Sequence, residues 1–140
     1  MELKVCGLSK PIEIETCINN GVEYCGFILN YPKSHRYISF DQAKELTGIN
    51  KKNSQYVGIL VNPSDAELDK YSKLNLDFFQ IYGNYSSESL NKIKKKTNKK
   101  IISALQIKKE DDVAKYKDIE NGSDIILWDS SGYEDSLNWN

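Results

Sequence analysis

The chain has 140 residues, of which 39% are hydrophobic and 28% are charged, and its formal net charge is -1. This length suits a single domain of the commonest size, with a core of its own. The balanced charge gives no electrostatic support for nucleic acid or an acidic membrane as a partner. No apolar run approaches the roughly 20 residues that a membrane-spanning helix needs.

Cysteine and histidine usage predicts a cytoplasmic protein without a bound metal. Cys6, Cys17 and Cys25 are an odd number of thiols without metal-ligand spacing, which suits a reducing compartment. With one histidine in the chain, the sequence offers no clustered ligand set for a metal ion. The first residues lead directly into an apolar segment and lack the pattern of a signal peptide.

Apolar segments alternate with helical segments along the chain. The predicted strands are residues 2–7, 24–30, 56–62, 78–83, 101–107 and 124–129. Several are nearly continuous hydrophobic runs, which is typical of parallel strands whose two faces are both covered.

Capping patterns predict where the intervening helices begin. Ser9 is the predicted N-cap of the first helix, with Pro11 in its first turn. Two later helices show capping-box spacing, at Ser39 with Gln42 and at Ser64 with Glu67. The lysine-rich residues 92–100 are interpreted as the solvated face and end of the fourth helix, where cations complement the helix dipole.

Six strand-helix repeats predict an α/β architecture, and two such folds compete. One is an open doubly wound sheet and the other is a (β/α)₈ barrel. No Gly-x-Gly-x-x-Gly motif follows the first strand, so a dinucleotide site has no support. A closed barrel needs eight units, whereas six strands are predicted here. Periodicity alone leaves the choice open.

Two strand ends carry groups that could exchange protons. Cys6 lies at the carboxyl end of the first strand, and Asp129 ends the sixth. The carboxyl ends of the strands are where α/β barrel enzymes place reacting groups. A thiol and a carboxyl group at corresponding strand ends are a candidate acid-base pair, although buried cysteines are also ordinary core residues.

Several segments of the chain form a recognisable set of motifs. In chain order they are Lys4-Val5-Cys6-Gly7-Leu8, Gly26-Phe27-Ile28, Lys33-Ser34-His35-Arg36-Tyr37-Ile38-Ser39, Val57-Gly58-Ile59-Leu60-Val61-Asn62-Pro63, Gln80-Ile81-Tyr82-Gly83 and Leu127-Trp128-Asp129-Ser130. Together they resemble phosphoribosylanthranilate isomerases of tryptophan biosynthesis. Members of this family are (β/α)₈ barrels, so the resemblance implies that residues 1–140 form one partial barrel domain, apparently truncated after the sixth strand.

The resemblance also implies roles for individual residues. Cys6 matches the family's general base, Asp129 its general acid, and Arg36 the arginine that holds the substrate's carboxylate; Gln80 is expected to contact substrate. The implied reaction is an Amadori rearrangement of an N-linked aminoaldose phosphate to a 1-amino-1-deoxyketose. It requires no metal or organic cofactor. Its one implied partner is the small phosphorylated substrate.

The chain departs from the family pattern at three places. His35 stands where a proline is usual, and we interpret it as a solvent-facing loop residue. Tyr82 stands where a histidine is common, and its role stays open. Residues 130–139 lack the family's usual glycine-rich stretch. The phosphate-binding loops after strands seven and eight of such barrels are also not among the predicted elements.

Two other functions are compatible with the sequence. One is a related phosphosugar isomerase of the same barrel type, for example a bifunctional enzyme that also serves histidine synthesis. Such enzymes use an aspartate in place of the first-strand thiol, so Cys6 weighs against them. The other is a non-catalytic fragment that associates through open sheet edges.

Overall fold

In the computed structural model, which describes residues 1–130, six parallel strands form one sheet. They lie in the order β1 to β6, so each strand pairs with its neighbours in the chain. Their bounds are Lys4–Val5 for β1, Tyr24–Ile28 for β2, Gln55–Val61 for β3, Phe78–Tyr82 for β4, Lys100–Gln106 for β5 and Ile125–Asp129 for β6.

This strand order decides between the two predicted folds. In a doubly wound sheet the order reverses at a switch point, and the first strand lies inside the sheet. Among residues 1–130, β1 lies at one edge of the sheet, and the strand order does not reverse. The prediction of a (β/α)₈ barrel type is therefore confirmed, with six of its strands among residues 1–130.

Four α-helices follow the first four strands. They are α1 (Pro11–Asn19), α2 (Phe40–Thr47), α3 (Asp65–Tyr71) and α4 (Ser87–Thr97). The two predicted capping boxes are confirmed, because the Ser39 and Ser64 hydroxyls accept the backbone amides of Gln42 and Glu67. The lysine run agrees with the prediction through Lys96. Lys99 differs, because it is half-buried and donates to the carbonyl oxygens of Leu74 and Leu76 at 3.1 and 2.9 Å, and Lys100 begins β5. Three basic residues occupy the last turn of α4, which ends at Asn98 in a left-handed conformation.

The start of α1 differs from the prediction. Its N-cap is Lys10 rather than Ser9. Pro11 lacks an amide hydrogen and has a preset φ, so it occupies the first helical position and shifts the cap to Lys10. The Ser9 and Lys10 amides both donate to the Glu13 carboxylate, at 2.8 and 3.0 Å. Glu13 thus satisfies the amides that a capping hydroxyl would not reach.

Two further elements differ from the regular strand-helix pattern. β1 pairs with β2 only over Lys4 and Val5, so it is shorter than the predicted residues 2–7. The connection after β5 is not an α-helix but two 3₁₀-helices, Glu110–Asp118 and Glu120–Gly122. Acidic residues fill the first turn of the longer one, and the segment has few apolar residues to bury against the sheet.

The sheet has an outer core beneath the helices and a separate inner core. Side chains alternate along each strand, so every second residue faces inward. The inner clusters contain Ile28, Ile59, Tyr82 and Ala104 in one layer, and Val57, Phe78 and Ile102 in another. The residues of the candidate site described below lie on this inward face. Within residues 1–130, no helix is both long and apolar enough to cross a bilayer.

Candidate active site

A cavity of about 240 Å³ lies on the inner side of the sheet, where β1 and β6 approach one another. It is lined by Lys4, Cys6, Gln80, Tyr82, Leu127, Trp128 and Asp129. The structure thus brings the sequence-predicted pair, Cys6 and Asp129, to one cavity. Gln80, the predicted substrate contact, lines it as well.

Cys6 is placed by the turn that ends β1. It is half-buried and lies directly after Val5, and Gly7 then turns the chain with φ at +77°. Gly26 on the neighbouring strand makes room for the thiol. A Cβ at that position would lie 3.4 Å from the Cys6 Sγ and 3.3 Å from its Cα. Cys6 therefore sits against bare backbone, with its side chain on the cavity.

The other two cysteines belong to the outer core. Cys17 and Cys25 are buried and interact with each other through their side chains. Burial raises the pKa of Cys25 to about 11, and it also raises the pKa of Cys17. Both thiols therefore stay protonated at neutral pH and serve as packing residues.

Arg36 lies in the loop between β2 and α2 and reaches back to the end of β1. Its Nη1 donates a hydrogen bond to the Cys6 carbonyl oxygen at 3.1 Å. The buried Ser34 hydroxyl accepts the Arg36 amide at 3.2 Å, which shapes the loop. Arg36 thus lies beside Cys6, whereas His35 is exposed, as interpreted from the sequence.

Asp129 is the last residue of β6. Its backbone oxygen accepts the amide of Ile107 at 2.8 Å, and its Oδ2 accepts the Tyr82 hydroxyl at 3.1 Å. Asp129 is half-buried. One hydrogen bond therefore fixes its backbone, and a second fixes one oxygen of its carboxyl group.

Gln80 and Tyr82 both point inward from β4. The exposed fraction of Gln80 is 1%, and its Nε2 donates to the Tyr82 hydroxyl oxygen at 3.3 Å. Its Oε1 has no hydrogen-bond partner among residues 1–130. Burial raises the pKa of the Tyr82 hydroxyl, with the Asp129 carboxylate as a second cause. Tyr82 therefore remains a proton donor at neutral pH.

A family model described as N-(5'phosphoribosyl)anthranilate (PRA) isomerase matches residues 3–140. The chain belongs to the phosphoribosylanthranilate isomerase family. Two curated relatives are the N-(5'-phosphoribosyl)anthranilate isomerases of Streptococcus gordonii and of Sulfurihydrogenibium sp.. Their identities to this chain are 34% over 130 residues and 33% over 131 residues.

Solved structures of phosphoribosylanthranilate isomerases have the same fold. A monomeric form of the dimeric Thermotoga maritima enzyme superposes with a TM-score of 0.79 at 26% identity, covering 96% of this chain and 68% of that one. A second structure holds reduced 1-(o-carboxyphenylamino)-1-deoxyribulose 5-phosphate. It has a TM-score of 0.79 at 27% identity and covers 92% of this chain and 64% of that one.

The chain is shorter than these relatives. It matches over 92% and 93% of its own length but spans 61% of the length of each of the two curated proteins. Residues 1–130 supply six strands. The loops after strands seven and eight, which hold phosphate in many barrels of this kind, are therefore not within this described part. The departure predicted at residues 130–139 also lies outside the described residues, apart from Ser130.

Besides Leu127 and Trp128, the cavity has two lining residues to which the sequence gave no role. Lys4 of β1 precedes Cys6 by two positions, and Tyr82 of β4 follows Gln80 by two positions. The alternation of strand side chains places each beside a residue already singled out. That spacing was the sequence signal that could have identified these two residues as part of the site. It predicts a shared face of the sheet, but it does not predict the hydrogen bond between Tyr82 and Asp129, which lie on strands that do not pair.

Proposed function

We propose that the protein is a phosphoribosylanthranilate isomerase of tryptophan biosynthesis. It would convert N-(5-phosphoribosyl)anthranilate to 1-(2-carboxyphenylamino)-1-deoxyribulose 5-phosphate. The observation that carries the proposal is the joint exposure of Cys6 and Asp129 on one cavity, with Arg36 hydrogen-bonded to the Cys6 backbone. A relative of known structure binds a reduced form of that product, which supports the substrate class.

Asp129 is proposed as the general acid. In its protonated form it donates a proton to the ring oxygen of the ribose, the bond from C1 to that oxygen breaks, and the substrate nitrogen becomes an iminium. The substrate nitrogen donates its lone pair to C1 as the C1–O bond breaks, so this step needs no metal or organic cofactor. A positioned acid typically contributes about 10²- to 10⁴-fold to the rate.

Cys6 is proposed as the general base. The iminium acidifies the neighbouring C2–H bond, and the Cys6 thiolate takes that proton. The electron pair then forms the C1–C2 double bond of an enolamine. The enolamine tautomerises when C1 gains a proton and the C2 hydroxyl becomes a ketone.

Arg36 is proposed to bind the anthranilate carboxylate. A guanidinium group can meet a carboxylate with two parallel hydrogen bonds, which fixes both position and orientation. Its Nη1 donates to the Cys6 carbonyl. This contact would place the bound carboxylate beside the residue that carries the proposed base. Gln80, whose buried Oε1 can accept a hydrogen bond, is proposed as a further substrate contact.

We propose a cytoplasmic location, and the phosphorylated substrate rather than nucleic acid or a membrane as the binding partner. Three free cysteines among residues 1–130, two of them buried, are compatible with a reducing compartment. The near-neutral net charge gives no support for nucleic acid.

The test is turnover of freshly prepared phosphoribosylanthranilate by the product of the complete gene. In D₂O the expected product is a C2 ketone that carries one solvent deuterium at C1, which NMR detects. An aminoaldose phosphate of histidine synthesis serves as the comparison substrate. Preference for that substrate would favour the related isomerase. No turnover of either would contradict the proposed activity.

A further inference from the structure

Three inward-facing side chains form a hydrogen-bonded row across the inner face of the sheet. Gln80 Nε2 donates to the Tyr82 hydroxyl oxygen at 3.3 Å, and the Tyr82 hydroxyl donates to Asp129 Oδ2 at 3.1 Å. Gln80 is 1% exposed and Tyr82 is 4% exposed. The row therefore lies inside the protein and ends at the proposed acid.

The strand register explains how Tyr82 reaches β6 from β4. Its partner on the intervening strand β5 is Ala104, and Ala104 in turn pairs with Leu127 of β6. Asp129 lies two residues beyond Leu127 on the same inward face. The side chain of Ala104 is only a methyl group. The Tyr82 ring can therefore cross β5 at this position and reach the Asp129 carboxyl group.

We infer that Tyr82 is a positioning residue for Asp129, with Gln80 holding the Tyr82 hydroxyl in place. The inference rests on the proposed function and deepens it. The hydroxyl occupies Oδ2 and so restricts rotation of the carboxyl group about its side-chain bonds. A fixed carboxyl orientation raises the rate of proton transfer, because the donor is already aligned when substrate binds.

The proposed binding group for the carboxylate of the substrate is Arg36, and the role inferred for Tyr82 is to position Asp129. Loss of the Tyr82 hydroxyl is therefore expected to act on the chemical step rather than on substrate affinity. Burial raises the pKa of this hydroxyl, so it stays protonated and serves as a hydrogen-bond donor at neutral pH.

The first test is Tyr82→Phe in the product of the complete gene, with phosphoribosylanthranilate as substrate. This change removes one oxygen atom and retains the ring. We expect kcat to fall about 10-fold, the scale of one buried hydrogen bond, with KM within about twofold. An unchanged kcat, or a rise in KM alone, would overturn the inference.

Tyr71→Phe is the matched control. The Tyr71 hydroxyl is also buried and donates to the Leu29 carbonyl oxygen at 2.6 Å, but Tyr71 lies in the outer core. The control removes a comparable hydrogen bond without touching the site. It is expected to lower the free energy of unfolding and to leave kcat unchanged. An equal fall in kcat for both variants would assign the Tyr82 effect to general destabilisation and overturn the inference.

A double-mutant cycle asks whether Tyr82 acts through Asp129. In an Asp129→Ala background, Tyr82→Phe should cause no further fall in kcat, because the group it positions is absent. A further 10-fold fall would show that Tyr82 acts by another route, which contradicts the inference.

The four proteins of this cycle are the wild type, Tyr82→Phe, Asp129→Ala and the double variant. They also distinguish a failure of this inference from a failure of the proposed function. Denaturant unfolding measures the coupling between Tyr82→Phe and Asp129→Ala without any substrate. If phosphoribosylanthranilate is not turned over, the proposed function fails, while a non-zero coupling in unfolding still supports the contact. Additive effects on unfolding would overturn the positioning role even in an active enzyme.

Discussion

Gly7 and Arg36 are in direct contact at the end of β1. A Cβ added to Gly7 would lie 2.6 Å from the Arg36 Nη1 and 2.7 Å from its Cδ. The arginine side chain therefore lies over the bare glycine while Nη1 binds the carbonyl of Cys6. The turn at Gly7, which places the proposed base Cys6, therefore also supports the side chain of Arg36, the proposed carboxylate-binding residue.

Gly7→Ala should raise KM for phosphoribosylanthranilate by about 10-fold or more, because the new methyl group displaces Arg36. Gly21→Ala is the control. Gly21 has a φ of +73°, close to the +77° of Gly7, but a Cβ there would meet nothing within 4 Å. Both variants should lose about 1–2 kcal/mol of unfolding free energy to backbone strain. Steady-state kinetics that show the same KM for the two variants would contradict the displacement of Arg36.

Arg36→Ala is expected to raise KM far more than it lowers kcat, because the carboxylate contact is made to substrate and transition state alike. Lys33→Ala removes a positive charge from an exposed position in the same loop and serves as the control. Arg36→Lys should recover only part of the affinity, since an ammonium group cannot make two parallel hydrogen bonds. Equal KM values for the Arg36→Ala and Lys33→Ala variants would argue against carboxylate binding.

The sequence predicted six strands and the approximate bounds of all but β1, because parallel strands buried on both faces are continuous apolar runs. The spacing of these runs could not choose the barrel, which depends on pairing between strands and was implied only by the family resemblance. It placed the first cap at Ser9, since a hydroxyl is the usual cap, whereas Pro11 shifted it to Lys10.

Contacts within the candidate site were harder to predict than its members. Cys6 and Asp129 were found from strand ends and family resemblance. The contacts of Gly7 with Arg36 and of Tyr82 with Asp129 join segments that are distant in the chain, so no local pattern contains them. The 3₁₀-helix at Glu110–Asp118 was also missed, because the spacing of strands predicts a connection but not its helical type.

The stability of that 3₁₀ segment should depend on pH through Asp112. The Lys115 ammonium, followed by the backbone amides of Lys108 and Lys109, lowers the pKa of Asp112 to about 2. A carboxyl group with a lowered pKa in the folded state stabilises the fold above its ordinary value of about 4, and this contribution disappears as the pH falls toward 2. Asp112→Asn should therefore destabilise the protein at pH 6 and have little effect near pH 2.

Denaturant unfolding of wild type, Asp112→Asn and the exposed control Asp111→Asn over this pH range measures that dependence. The difference between wild type and Asp112→Asn should shrink as the pH falls, while Asp111→Asn should follow the wild type. A difference independent of pH would contradict the assigned ionisation.

The isolated 140-residue chain is expected to self-associate. Within residues 1–130, β1 and β6 each pair with one strand, so each leaves a row of backbone groups at a sheet edge. Trp128 on the edge strand β6 is 51% exposed, and Leu3, just before the edge strand β1, is 52% exposed.

Sedimentation of this chain should give a mass that rises with concentration, and its turnover of phosphoribosylanthranilate should be low. Addition of a segment with two further strand-helix units from a relative should raise turnover. A monomeric, cooperatively folded and fully active chain would contradict this prediction.

The most direct test of the proposed mechanism is the steady-state kinetics of Cys6→Ala and Asp129→Ala in the product of the complete gene. Cys17→Ala and Asp111→Ala are the controls, because they remove a thiol and a carboxyl group outside the cavity. We predict that kcat for phosphoribosylanthranilate falls about 10²- to 10⁴-fold in both site variants, with small changes in KM, and that it is unchanged in both controls. Site variants that retain the kcat of their controls would contradict the assignment of Cys6 as base and Asp129 as acid.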